Sequence, residues 1–172
     1  NELKVWSETT LLDCRDFKGT VQDVNSTQDL KAHALSYISY AHSIEQIADT
    51  IKINLTAVFD TQNSYMSQCD SLLLEHEQIH FDIMEFVLRK LRKKIKEDNN
   101  SNLYGDLNSS LKEYNAISNE YDSVTSHGVF FYQQKIWKDS IHFSPFRKFG
   151  EAIARIFHLS ANLRRAEKRI FH

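Results

Sequence analysis

The sequence predicts an α+β protein in which N-terminal antiparallel β-strands pack on a helix-rich remainder. Three observations carry that expectation. The 172 residues include only four Gly and one Pro, too few to punctuate a turn-dense β architecture and few enough to leave room for long helices. Ile51, Ile53, Leu55, Ala57 and Phe59 alternate with polar positions, the period-two signature of a strand with one face on a core and one toward water. Beyond about Ser67 the period changes: Leu73, His76, His80, Ile83, Met84, Val87 and Leu91 fall at helical spacing.

In chain order, Val5 and Trp6 open the β region, and Asp13 to Gly19 reads as a turn ending at a permissive glycine. Ala32 to His42, rich in Tyr, Ile and Leu, is expected to be a strand paired antiparallel with Ile51 to Phe59. The long helix from about Ser67 ends in Arg89, Lys90, Arg92, Lys93, Lys94 and Lys96, a basic run expected to stay solvated at the negative end of the helix dipole. After a polar break at 98–101, a second helix is predicted from about Tyr104 to Tyr121, with Leu107, Leu111, Tyr114, Ile117 and Tyr121 on one stripe. Thr125 to Gly128 is expected to be a loop, and a third helix runs from about Val129 to Ile141 with Trp137 as its anchor. Pro145 closes that helix.

Composition limits the function. With 41% hydrophobic and 26% charged residues the chain belongs to the globular class, and its length suits one domain. A net charge of −2 gives no electrostatic case for a nucleic-acid partner. Charge is nevertheless uneven: seven basic residues between Pro145 and His172 stand against Glu151 and Glu167, a net of +5, with Ile153, Ile156, Phe157, Leu163 and Ile170 as an apolar stripe. That pattern suits an amphipathic helix contacting an anionic membrane surface or a partner. Cys14 and Cys69 are too few for a thiolate metal site; two separate buried thiols are the expected state, with a disulfide as the alternative. No run of eighteen apolar residues occurs. The start at Asn1, without a charged-then-apolar leader, is as expected of a mature or trimmed form.

Residues 76–80 read His-Glu-Gln-Ile-His. On a helix, His76 and His80 at i and i+4 project from one face at a separation suited to one ion. Zinc accepts neutral imidazole nitrogens, and a catalytic site keeps one coordination position for water. Glu77 then stands where a general base for that water is needed. Two core-edge histidines without a metal are the plain structural alternative. A third protein ligand is required. His127, in a loop beside Gly128, is the first choice, with Asp122 and Glu120 as runners-up; Glu85 lies about 140° around the helix from His80 and points away. Tyr121 and Tyr132 lie near enough in sequence for an oxyanion role, though packing is the ordinary reading of each. His33, His42, His142, His158 and His172 are assigned no site.

The stretch Leu73 to Leu91 (LLEHEQIHFDIMEFVLRKL) resembles the signature helix of the DUF922 family of bacterial predicted secreted zinc-dependent proteases, with its His-Glu-Gln-x-His-Phe-Asp core. Val5-Trp6-Ser7 with Asp16-Phe17-Lys18-Gly19 is similar to the family's opening segment. Tyr121-Asp122 with Thr125, His127 and Gly128 is similar to its Tyr-Asp-x-x-Thr-x-His-Gly motif, and Gln134 and Trp137 match the Gln and Trp that follow. Cys14 departs from the aromatic residue expected there, and the tail after Pro145 has no counterpart. The resemblance spans roughly residues 5 to 142 and favours His127 over Glu120. It implies a zincin-like core over residues 1–144; residues 145–172 are read from their own charge and apolar pattern as a C-terminal basic amphipathic helix. It further implies an extracytoplasmic location, zinc as cofactor, a peptide or protein substrate held as an added strand at a sheet edge, and peptide hydrolysis with Glu77 as base. The alternative from another class is a non-catalytic zinc-binding or structural module on the same fold.

Overall fold

The computed structural model describes residues 2–20, 33–48, 50–98 and 102–143. Its strands are β1 (Leu3–Val5), β2 (Ala34–Leu35), β3 (Ile38–Ile47), β4 (Thr50–Asp60) and β5 (Tyr65–Met66). Its helices are α1 (Ser71–Glu97), α2 (Leu103–Thr125) and α3 (Phe131–Phe143), and a short 3-10 turn covers Cys14–Asp16. The chain is therefore α+β, with the antiparallel strands first. Residues 145–172, expected as a basic helix, lie outside the described residues.

β3 and β4 form a long antiparallel hairpin in register from Ile38↔Phe59 to Ile47↔Thr50, and β1 joins the other edge of β4, giving the order β1-β4-β3. β2 and β5 make a separate antiparallel pair. The strand expected over Ala32 to His42 is displaced. The chain breaks at Ser36 and Tyr37, whose backbone N–H donates to Ser64 Oγ, and β3 then continues through the polar Ser43 to Gln46 segment. Cross-strand partners sustain that segment where apolar pattern does not: the side-chain amide of Asn54 donates to Ser43 and Glu45, and Lys52 pairs with Glu45. Ala48 turns the hairpin at φ 52°. The alternation read from β4 also fails at its end, where Val58 and Asp60 are buried along with Ala57 and Phe59. Asp60 is satisfied there by the backbone N–H groups of Gln62 and Asn63 and by the Asn63 side chain.

α1 is the central element because it is apolar on two sides. Phe81, Met84, Leu88 and Leu91 pack against Leu12, Leu55, Ala57 and Phe59 on the sheet side, with Phe59 and Phe81 ring centroids 6.1 Å apart. Ile79, Ile83, Phe86 and Val87 pack against Ile117, Tyr121, Trp137 and Ile141 from α2 and α3. Burying each of these large side chains is worth about 1.5–3 kcal/mol relative to exposure. The helix begins at Ser71 rather than near Ser67, because Asp70 caps it by accepting the backbone N–H groups of Leu72 and Leu73.

Two expectations are corrected. Arg89 and Arg92 do not simply stay solvated: both pair with the buried Glu85, Arg92 also donates to the Leu55 carbonyl, and the Arg89 guanidinium stacks 4.6 Å over Trp6. Cys14 and Cys69 are joined as a disulfide, with Cα atoms 5.6 Å apart. The bond fastens the 3-10 turn to the residue just before the α1 cap. Closing a loop across a sequence separation of 55 restricts the unfolded chain by about 4 kcal/mol. A disulfide is compatible with an extracellular, oxidising location. Among the described residues, no helix is long and apolar enough to cross a membrane.

Candidate metal centre

α1 presents His76 and His80 one turn apart, and α2 crosses them with Ser118 and Asp122, which share a face at the same i, i+4 spacing. α2 runs about one turn beyond its predicted end, so Asp122 is held on a helix over the histidine pair. His76 Nε2 lies 3.0 Å from Asp122 Oδ1, His80 Nε2 lies 2.9 Å from the same oxygen, and the two Nε2 atoms are 3.1 Å apart. His80 Nδ1 is 3.1 Å from Ser118 Oγ, which fixes the ring. Tyr121 stacks on His76 with centroids 4.6 Å apart and meets His80 edge-on at 5.0 Å.

Gly128 completes the wall. A Cβ there would come within 3.2 Å of His76 Cβ and 3.3 Å of Cγ, and its φ of +88° is a conformation that side chains rarely adopt. Ser126 and His127 also have positive φ, so three successive residues turn the chain sharply across the end of α2.

The electrostatics follow from this crowding. Burial opposes a charge on His80, but the hydrogen bond that its ring donates to Asp122 and the charges of Glu77 and Asp122 outweigh it and raise the pKa above the ordinary value. Asp122 loses hydration too, yet the hydrogen bonds to His76 and His80 hold it well below the usual carboxylate range. Burial, reinforced by the charges of Glu77 and Asp122, raises Tyr121 far above a normal phenol and pushes Tyr114 up to about 12. Both phenols therefore stay neutral.

The donor set fits a divalent ion. A carboxylate is acceptor-only, and a neutral imidazole has one N–H and one lone pair. With two ring nitrogens and a carboxylate oxygen converging, one proton bridges one pair of them, whereas a cation at the centre satisfies all three. Tetrahedral zinc with bonds of about 2.0–2.1 Å holds its ligand atoms about 3.3–3.4 Å apart. The observed edges of 2.9, 3.0 and 3.1 Å are within about 0.5 Å of that triangle. His76 Nδ1 is buried without a hydrogen-bond partner, so packing by Tyr121 and Gly128, rather than an outer hydrogen bond, orients that ring.

The structure brings together two of the three residues first chosen as ligands. The cluster able to hold an ion is His76, His80 and Asp122, and the protein places a runner-up where His127 was preferred. His127 stands at the edge, with Nδ1 3.6 Å from Asp122 Oδ1 and a side chain 80% exposed. Glu120 is outside the cluster, and Tyr132 is exposed. Glu85 belongs to the arginine pair described above. Glu77 is 5% exposed, about 100° around α1 from His76 toward the sheet, and makes no hydrogen bond among the described residues. Ser118 and the stacking of Tyr121 escaped sequence reasoning, although the Ser118–Asp122 spacing on a predicted helix was a usable signal. Two surface cavities, of about 240 and 290 Å3, are lined by Trp6, Glu8 and Asp82 and share no residue with the cluster. No family model, curated protein or solved structure matches the chain.

Proposed function

We propose that the chain is a zinc-dependent peptide hydrolase in which His76, His80 and Asp122 hold the ion and Glu77 is the general base. The observation that carries this reading is the convergence of three acceptor atoms on one point, two from an H-E-x-x-H helix and one from the helix crossing it, beside a buried carboxylate with no hydrogen-bond partner among the described residues. Two imidazoles and one carboxylate are a donor set of catalytic zinc sites, which leave a position for water. When bound, the ion lowers the pKa of that water toward 7 and polarises a carbonyl.

The chain's own residues supply the rest. Glu77 takes a proton from water as its oxygen bonds to the peptide carbon, and passes it to the nitrogen as the C–N bond breaks. Ser118 fixes the His80 ring, while Tyr121 and Gly128 wall off His76. His127 stands at the rim of the site. The resemblance to the DUF922 proteases supports peptide or protein as substrate, and the Cys14–Cys69 disulfide supports an extracytoplasmic setting.

The competing reading is a non-catalytic metal module, favoured by the near-complete burial of His76, 2% exposed, and by cavities that lie elsewhere. Glu77→Gln separates the two. On the hydrolase reading the variant keeps one zinc per chain and loses about 10²–10⁴-fold in peptide turnover. Turnover equal to wild type removes Glu77 as base, and absence of turnover by zinc-loaded wild type on a broad peptide library favours the module.

A further inference from the structure

Val129, Phe130, Phe131 and Tyr132 are consecutive large apolar residues, each between 50% and 71% exposed. Val129 and Phe130 precede α3, and Phe131 and Tyr132 open it. Farther along α3, Gln134, Trp137 and Ile141 turn inward and are buried, so the inward stripe is complete without them. A contiguous exposed apolar patch of this kind marks a surface that meets something.

Its position indicates what. Gly128, the residue before Val129, packs on the His76 side chain. The backbone N–H of Phe130 donates to the Thr125 carbonyl at 2.8 Å, and Gln134 Nε2 donates to the Leu72 carbonyl at 2.9 Å, so the segment is tied to the ends of both site helices. Leu72, itself exposed, lies in the first turn of α1, one turn before His76. The patch thus begins one residue after the glycine that packs on His76, and hydrogen bonds anchor it to the end of α2 and the start of α1.

Resting on the hydrolase reading, we infer that Val129–Tyr132 is the specificity-determining surface of the site, and that its occupant is an apolar side chain of an extended peptide substrate close to the scissile bond. Rigid aromatic groups supply large contact area at small entropic cost, and apolar complementarity discriminates substrates by tens of fold.

The test compares two end-capped hexapeptides of equal length, one with Phe and Leu flanking its central bond and one with Ser and Gln there. Zinc-loaded wild type is set beside the Phe131→Ser/Tyr132→Ser variant, whose altered side chains are exposed. The expected result is at least a tenfold wild-type preference in kcat/KM for the apolar peptide, lost in the variant through KM, with zinc content unchanged. Equal cleavage of both peptides by wild type, or an unchanged preference in the variant, overturns the inference. Binding of the intact apolar peptide to Glu77→Gln, measured by calorimetry, separates this from failure of the hydrolase reading. Patch-dependent binding without any wild-type turnover sinks the hydrolase and keeps a peptide surface. Absence of patch-dependent peptide binding, with patch-dependent sedimentation on phosphatidylcholine–phosphatidylglycerol vesicles, assigns the patch to a membrane and overturns the inference.

Discussion

α1 carries two buried polar centres, and they are solved in opposite ways. In its second half, Glu85 is buried and met by two guanidinium groups, Arg89 and Arg92. In its first half, the carboxylate of Asp122 meets the imidazoles of His76 and His80, and no Lys or Arg pairs with it among the described residues. A buried charge is tolerated when it is paired or coordinates a metal. The chain supplies its own counter-cation at Glu85; at Asp122 it supplies only ligands, and the missing charge is a proton or an ion. The contrast separates a satisfied ion pair from a cluster that could hold an ion.

The largest effect that sharpens this contrast is catalytic: Glu77→Gln loses about 10²–10⁴-fold in turnover while zinc content stays constant, measured by metal analysis beside a peptide assay. Next come the stabilities of the metal-free protein above pH 8. Glu85→Ala strands two partly exposed arginines and breaks a satisfied pair, at a cost of about 2–3 kcal/mol in urea unfolding. Asp122→Ala removes one of three acceptors facing one another and costs less than about 1 kcal/mol. Equal losses would erase the distinction between the two centres. Replacing both Cys14 and Cys69 with Ser should cost about 2–4 kcal/mol, at least as much as Glu85→Ala and more than Asp122→Ala.

pH gives a subtler discriminator. Because the folded-state pKa of His80 is raised, its contribution to metal-free stability is fully present below the unfolded value near 6.5 and is lost as pH rises through the folded value. Because that of Asp122 is depressed, its contribution is present above about 3.9 and lost as pH falls through the folded value. The pair therefore stabilises the metal-free protein most between about pH 4 and 6.5. Zinc requires unprotonated His80, so the rise in Tm on adding zinc should be larger at pH 8 than at pH 5.5. A zinc shift that shrinks with rising pH would break the assignment of the proton and the ion to one place.

Much of the fold was legible because local periodicity controls it. The helical stripe through Ile83, Val87 and Leu91 and the alternation through Leu55, Ala57 and Phe59 are core faces in the structure. What misled was tertiary in origin. β3 extends through polar residues because β4 pairs with it, and Cys14 meets Cys69 because the N-terminal segment folds back onto the start of α1. Among the site residues, the i, i+4 histidines follow from helix geometry alone. The third partner depends on how far α2 runs: one more helical turn puts Asp122 in the cluster and leaves His127 at its rim.

Zinc titration by calorimetry on chelator-stripped wild type, Asp122→Ala and His127→Ala tests the central claim most directly. The account predicts one zinc per chain for wild type, its loss in Asp122→Ala, and His127→Ala binding within a few-fold of wild type. No uptake by wild type, or loss of the ion from His127→Ala with retention by Asp122→Ala, would contradict it.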